Sequence, residues 1–313
     1  MRLIAALFAC LFTLAAPAAC PPPAPPYQGV LFDAMAQIES VQSPSMVLEA
    51  MRAANVEKMA LFARLHRRRS GEANVLQAGR LAPDRIVMGA PKAFDERDDL
   101  GAGFVKRTLE DISTHGYAFV GEIMFTHGDK THGEQTREGE RYVDPLGAGV
   151  LRLIEGLKAR PVPVMTHWEV YDWARDWPRL SEFYRRFPAQ TFIWPHAGFA
   201  DARQVDEVLS RHPNVVATLS KKEQDQRALS DNEKAAQLGP ALVNGCGVLR
   251  PDWKELVLRH QDRFLFATDA HKDFRWRKYG DVVAVWRSIL GQLPVETAEK
   301  IAYRNAQRVY AAR

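Results

Sequence analysis

The stretch PVPVMTHWE (161–169) runs through five proline or apolar residues and stops at Thr166, His167, Trp168 and Glu169. Its layout recurs downstream in TFIWPHAGF (191–199), which reaches His196, and in FLFATDAHK (264–272), which reaches Asp269. A short apolar run set between helix-like segments reads as a strand buried on both faces of a parallel sheet, with the polar residue at its carboxyl end. Three such strands would deliver His167, His196 and Asp269 to one rim, the pattern of a catalytic barrel face.

Working outward, the same rhythm covers most of the chain. GVLFDAMAQIE (29–39) reads as the first strand, with Asp33, Met35, Gln37 and Glu39 on alternating positions near its end. Segments 56–65 and 85–91 read as the second and third, and AFVGEIMF (118–125) as the fourth, with Glu122 inside an otherwise apolar run. Segments 161–169 and 191–196 are then the fifth and sixth, 214–220 the seventh and 263–268 the eighth. Between them the patterns predict helices over 44–54, opened by Pro44 in its favoured first turn, over 100–114, 146–159 and 178–187, from Asp201 as cap to residue 211, and from Asp252. Residues 274–313 read as helical. This alternation predicts an α/β fold, a single-domain (β/α)8 TIM-like barrel over 29–313. An open doubly wound sheet is the rival, but the first strand lacks the glycine-rich phosphate turn such folds often use. The polar loop 126–145, which carries His127 and His132, is long enough to act as an active-site lid.

Bulk properties narrow the class. The 313 residues suit one large domain, and 42 basic against 38 acidic residues, net +4, give no case for a nucleic-acid partner. Arg2, the apolar run 3–16 and the small residues that follow read as a secretory signal over 1–19, too short for a membrane span. Ala16 and Ala18 fit ordinary signal cleavage; Ala18, Ala19 and Cys20 resemble the end of a bacterial lipoprotein signal, although Pro17 stands where Leu is usual. A lipid on Cys20 would be the chain's membrane attachment. Cys10 leaves with the signal, so Cys246 is expected to stand alone, with no disulfide framework. PPPAPP (21–26) makes 20–28 an extended tether.

MTHWE, WPHAG and FATDA, in that order, with GEI on strand four and EKIAYRNAQRVY near the end, resemble the amidohydrolase superfamily and its amidohydrolase-related branch, over residues 29–310. The resemblance implies a distorted barrel with metals or substrate at the carboxyl rim. A His-x-His pair on strand one and an Asp on strand eight would hold one metal. A Lys or Glu of strand four and the histidines of strands five and six would hold another. Here Met35 and Gln37 replace the strand-one histidines, and a thioether and an amide are poor ligands for such ions, so the first site is expected to be lost. Glu122, His167 and His196 keep the count of an open catalytic zinc site, with Asp269 beside them as ligand or base.

The resemblance therefore implies an exported hydrolase that attacks a small ester, lactone or amide, carboxylated substrates included, with activated water. One divalent ion, Zn or Mn, would assist. In a metal-free form, as in lactonases of the branch, Asp269 would activate the water alone while His167 and His196 polarise the carbonyl. The alternatives are a decarboxylase of the same branch and a non-catalytic periplasmic binding barrel. Arg64, His66, His127 and His132 are candidate holders of the small-molecule substrate. His115, His212 and His260 read as structural, and His271 is left open.

Overall fold

The computed structural model describes residues 20–64, 70–92, 98–128, 140–220 and 241–311. Within them eight parallel strands follow one another in chain order: β1 (Phe32–Ile38), β2 (Lys58–Ala63), β3 (Ile86–Ala90), β4 (Phe119–His127), β6 (Val164–Trp168), β7 (Phe192–Trp194), β8 (Val215–Thr218) and β9 (Phe264–Leu265). A short β5 (Arg141–Tyr142) folds back antiparallel on the end of β4, which extends the predicted fourth strand into the expected lid. Residues 129–139 of that loop lie outside the described residues.

The ring closes between the first and last strands. Ala34 N donates to Phe266 O at 2.9 Å, Asp269 N to Met35 O at 2.9 Å and Gln37 N to Ala270 O at 2.7 Å. The eighth strand is thus shorter than predicted, and residues past Leu265 join β1 through single bonds instead of a continuous ladder. The result is a nearly closed single-domain TIM barrel.

Strand periodicity sorts side chains into two cores. Phe32, Phe62, Phe119, Met165, Ile193 and Leu265 fill the barrel interior. Tyr310 plugs its amino-terminal end, stacked on Phe32 with centroids 5.6 Å apart and donating its hydroxyl to Ala34 O at 2.6 Å. Val164 and Trp168 face the outer core between strands and helices. Because Met165 faces in and Val164 and Trp168 face out, period two sends His167 inward.

Local signals account for most helices. Ser43 accepts from Met46 N ahead of Pro44 in helix Pro44–Ala53, and Asp201 with Gln204 forms a full capping box on Ala202–Arg211. One helix departs from its predicted start: it runs from Trp173 to Arg186, with Asp172 capping Arg175 N and Pro178 inside. The Asp172 cap and the buried Trp177, Leu180 and Phe183 outweigh the hydrogen bond that a proline cannot donate. The helical tail is broken into shorter pieces, the longest Tyr279–Leu290.

Cys246 does not stand alone. Its sulfur is bonded to that of Cys20, with Cα atoms 5.5 Å apart across a sequence separation of 226. In this structure the Cys20 thiol is therefore committed to a disulfide and not to a lipid. The proline-rich segment is strapped to the barrel as well: Tyr27 N donates to Arg287 O at 2.8 Å, and Arg287 Nη1 donates to Tyr27 O at 2.9 Å. No helix of the described residues is long and apolar enough to cross a membrane.

Candidate active site

Two of the strands that carry the site are irregular where it is built. Between β1 and β2 the register slips from Asp33↔Met59 to Ala36↔Leu61, and between β4 and β6 from Val120↔Val164 to Ile123↔Thr166. Each slip is one extra residue, a bulge that re-aims the side chains beyond it. The second bulge contains Gly121, where a Cβ would stand 2.6 Å from Ala90 O and 2.8 Å from a Phe62 ring carbon. Glycine is needed there for β4 to lie this close to the end of β3.

Glu122 lies just past that glycine, 1% exposed. Its Oε1 is 2.7 Å from His167 Nδ1, and its Oε2 accepts from Lys92 Nζ at 2.7 Å and, more weakly, from Gln37 Nε2 at 3.4 Å. The other nitrogen of His167 lies 3.1 Å from Glu169 Oε1, while Glu169 Oε2 accepts from Gly128 N at 2.9 Å. His167 is thus held between two carboxylates. Burial opposes its charged form, but the neighbouring Glu122 carboxylate and the hydrogen bonds to Glu122 and Glu169 keep it above the usual histidine value. Burial likewise opposes ionisation of Glu122, yet Lys92 and His167 hold it well below the ordinary glutamate value.

His196 reaches the rim in an unusual backbone. His196, Ala197, Gly198 and Phe199 all have positive φ, of 59°, 44°, 60° and 56°. Three of the four carry a Cβ, a conformation that persists only where the surroundings impose it. Here Thr218 Oγ1 accepts from His196 N at 2.9 Å, and Ser220 Oγ lies 2.9 Å from His196 Nδ1. Gly198 could not carry a side chain, since its Cβ would stand 2.3 Å from the Trp194 ring. The sixth strand therefore ends in a left-handed turn, not in an extended histidine.

Asp269 also has positive φ, 49°. Its Oδ1 accepts from Gln37 Nε2 at 2.7 Å, and its Oδ2 is 4.0 Å from His196 Nε2 and 3.5 Å from His271 Nδ1. The Gln37 amide is oriented by the acids it meets, because reversed it would set oxygen against carboxylate. Gln37 Oε1 is left buried without a hydrogen-bond partner.

The four residues expected at the rim, Glu122, His167, His196 and Asp269, lie side by side in one buried cluster. His127 joins them from the end of β4, its ring stacked on His167 at 5.3 Å. Arg64 sits at the end of β2, 3.6 Å from Glu39 in an ion pair. His66 and His132 lie outside the described residues. His115, His212 and His260 pair with Asp111, Ser181 and Asp206 on the helices, as structural histidines would. Lys92, Glu169 and Ser220 were not singled out from sequence. Lys92 and Ser220 each sit two residues past a strand, and Glu169 one past, where the strand-end rule applies equally.

Glu122, His167 and His196 place ligand atoms within 4.8 Å of one another, so this buried cluster could bind a metal, and His127, His167 and Glu169 form a second such group. The bonding within the first group does not fit an ion. Lys92 already occupies Glu122 Oε2, and both nitrogens of His167 face carboxylates, where ring N–H groups are required. An ion bound by His167 would displace a proton from that ring and would meet the Lys92 ammonium on the other oxygen of its Glu122 ligand.

A family model for Amidohydrolase matches residues 115–312. Among solved structures, an uncharacterized TIM-barrel protein from Bordetella bronchiseptica superposes with a TM-score of 0.58 at 15% identity, over 85% of this chain and 81% of the other. A probable 2-pyrone-4,6-dicarboxylic acid hydrolase from Acinetobacter baumannii, with citric acid bound, gives 0.57 at 11% identity over 90% and 98%. A 2,6-dihydroxybenzoate decarboxylase from Rhizobium gives 0.51 at 14% identity over 91% and 98%. No curated protein matches.

Proposed function

The chain belongs to the amidohydrolase family, and from that premise we propose that it is a hydrolase of small esters, lactones or amides that works by attack of an activated water. The observation that carries this reading is the meeting of Asp269 with His196. Their facing atoms are 4.0 Å apart, too far for a direct hydrogen bond, so Asp269 is left to hold the water while His196 faces the substrate carbonyl. In this reading Asp269, oriented by Gln37, takes the proton from that water as it attacks and returns it to the leaving group. The unpartnered Gln37 Oε1 accepts the water's second hydrogen. With Ser220 donating to Nδ1, His196 carries its proton on Nε2 and donates to the substrate carbonyl. His167, gripped by Glu122, places its charge beside the oxyanion that forms.

The family's metal-assisted form, with Zn or Mn, would use Glu122, His167 and His196; the proton-filled bonds of that cluster support the metal-free form. The Cys20–Cys246 disulfide supports export, since such bonds persist in oxidising compartments. Thiol titration of the protein recovered from the periplasm is expected to find neither cysteine free; two titratable thiols there would remove that support.

The direct test is turnover of a panel of lactones, esters and amides by wild type and Asp269→Asn. The variant keeps the oxygen that Gln37 contacts and loses the base, so kcat is expected to fall by about 10²–10⁴ with stability little changed. Full activity in the variant would remove Asp269 from this role.

A further inference from the structure

Three carboxylates, Glu122, Glu169 and Asp269, lie around His167 and His196, each 1% exposed. Negative charge at that density, away from water, needs positive charge built into the site. The fold provides it from β3. Lys92 follows Pro91 just past that strand, is itself only 5% exposed, and places Nζ 2.7 Å from Glu122 Oε2. Its backbone is fixed by donation of Lys92 N to Ala63 O at 3.3 Å. The bare Cα of Gly121 admits it, since a Cβ there would come within 3.1 Å of Lys92 N. On the other side, the Gln37 amide spans Glu122 and Asp269, at 3.4 and 2.7 Å.

We propose that Lys92 is the resident cation of this site: its ammonium takes the electrostatic place of a bound metal and keeps divalent ions out. Lys92 touches Glu122 and not the reacting atoms, so it is a positioning residue. It holds the Glu122 carboxylate against His167 Nδ1, and through that bond fixes how the imidazole meets the substrate. Gln37 closes the remaining approach, because its NH₂ points to where an ion shared by Glu122 and Asp269 would sit. An ammonium and an amide N–H are donors only and repel a cation that seeks lone pairs.

The inference is independent of the hydrolase reading, because it is read out in bound metal and not in turnover. The full chain is expressed in medium supplemented with zinc and manganese, dialysed without chelator and assayed by elemental analysis; apo protein is then titrated with Co²⁺ and followed by visible absorption. Wild type and Lys92→Arg are expected to retain substoichiometric metal and to develop no ligand-field bands. Lys92→Gln is expected to retain about one equivalent and to develop bands of histidine-bound cobalt, which the added change His167→Asn abolishes. Wild type retaining an equivalent that is lost on Glu122→Gln would overturn the proposal. So would a folded Lys92→Gln that stays metal-free. Should circular dichroism show Lys92→Gln unfolded, the wild-type and Lys92→Arg measurements decide alone.

Discussion

Two halves of the barrel bury a carboxylate by opposite means. On β4, Glu122 is surrounded by Lys92, His167 and the Gln37 amide. On β1, Asp33 is just as buried but meets neutral donors: Met35 N at 3.2 Å, Thr268 N at 3.0 Å, Thr268 Oγ1 at 2.6 Å and Tyr279 Oη at 3.0 Å. Charged neighbours hold Glu122 well below its usual range. Burial pushes Asp33 up to about 6, with the Thr268, Met35 and Tyr279 hydrogen bonds opposing it. The difference separates two tasks. Glu122 must stay ionised to orient His167, whereas Asp33 ties the first strand to the last and needs its acceptors more than its charge.

The comparison breaks most sharply at Glu122. Glu122→Gln leaves Lys92 and His167 as buried cations without their shared anion, and loss of one partner of a buried pair costs about 3–5 kcal/mol. Urea denaturation at neutral pH is expected to show a loss of that size. A loss under 1 kcal/mol would mean that the charged half is not held as drawn.

The two halves also differ in sign with pH. A carboxylate lowered in the folded state contributes stability above its unfolded value, 4.5 for Glu122, and loses it as pH falls through the folded one. A histidine raised in the folded state, as His167 is, contributes below 6.5 and loses that share as pH rises through its folded value. Asp33 runs opposite to Glu122: its share is full below 3.8 and is lost as pH rises to about 6. At about 1.4 kcal/mol per pKa unit that share amounts to about 3 kcal/mol. Asp33→Asn is therefore expected to flatten the decline of stability between pH 4 and about 6, measured as the difference from wild type in denaturation midpoint. An unchanged slope would mean that Asp33 is ionised throughout.

What sequence made legible follows the same division. His167, His196 and Asp269 stood at the ends of apolar runs and could be named from pattern, whereas Glu122 lay inside one and took its role from the family resemblance. Lys92 met the same rule, but Pro91 before it makes Ala90-Pro91-Lys92 look like an ordinary turn, and a lone lysine after a strand is usually solvated. The seam was not legible, because Asp33 finds Thr268 and Tyr279 at separations of 235 and 246 residues. The Cys20–Cys246 bond spans a similar distance, and a cysteine beside a signal segment read more naturally as a processing site. Helix Trp173–Arg186 was cut short at Pro178 because local propensity gives no weight to the buried face that Trp177, Leu180 and Phe183 present.

His196 stands between the halves, and it is where the smallest effect is expected. Its ring meets His167 edge-on at 5.3 Å on one side, stacks on Phe199 at 4.9 Å on another, and faces Asp269 across 4.0 Å. In the proposed mechanism Ser220, at Nδ1, sets which nitrogen carries the proton, and its hydroxyl is shared with Thr218 at 3.1 Å. Ser220→Ala removes that donor without opening a large cavity, so stability should fall by about 1 kcal/mol. The informative readout is the pH profile of turnover. With the donor gone, both tautomers of the neutral ring become accessible, and kcat is expected to drop about tenfold or less while KM holds. A raised KM with kcat unchanged would instead make Ser220 part of substrate binding, and would move His196 from the polarising role to the charged half of the barrel.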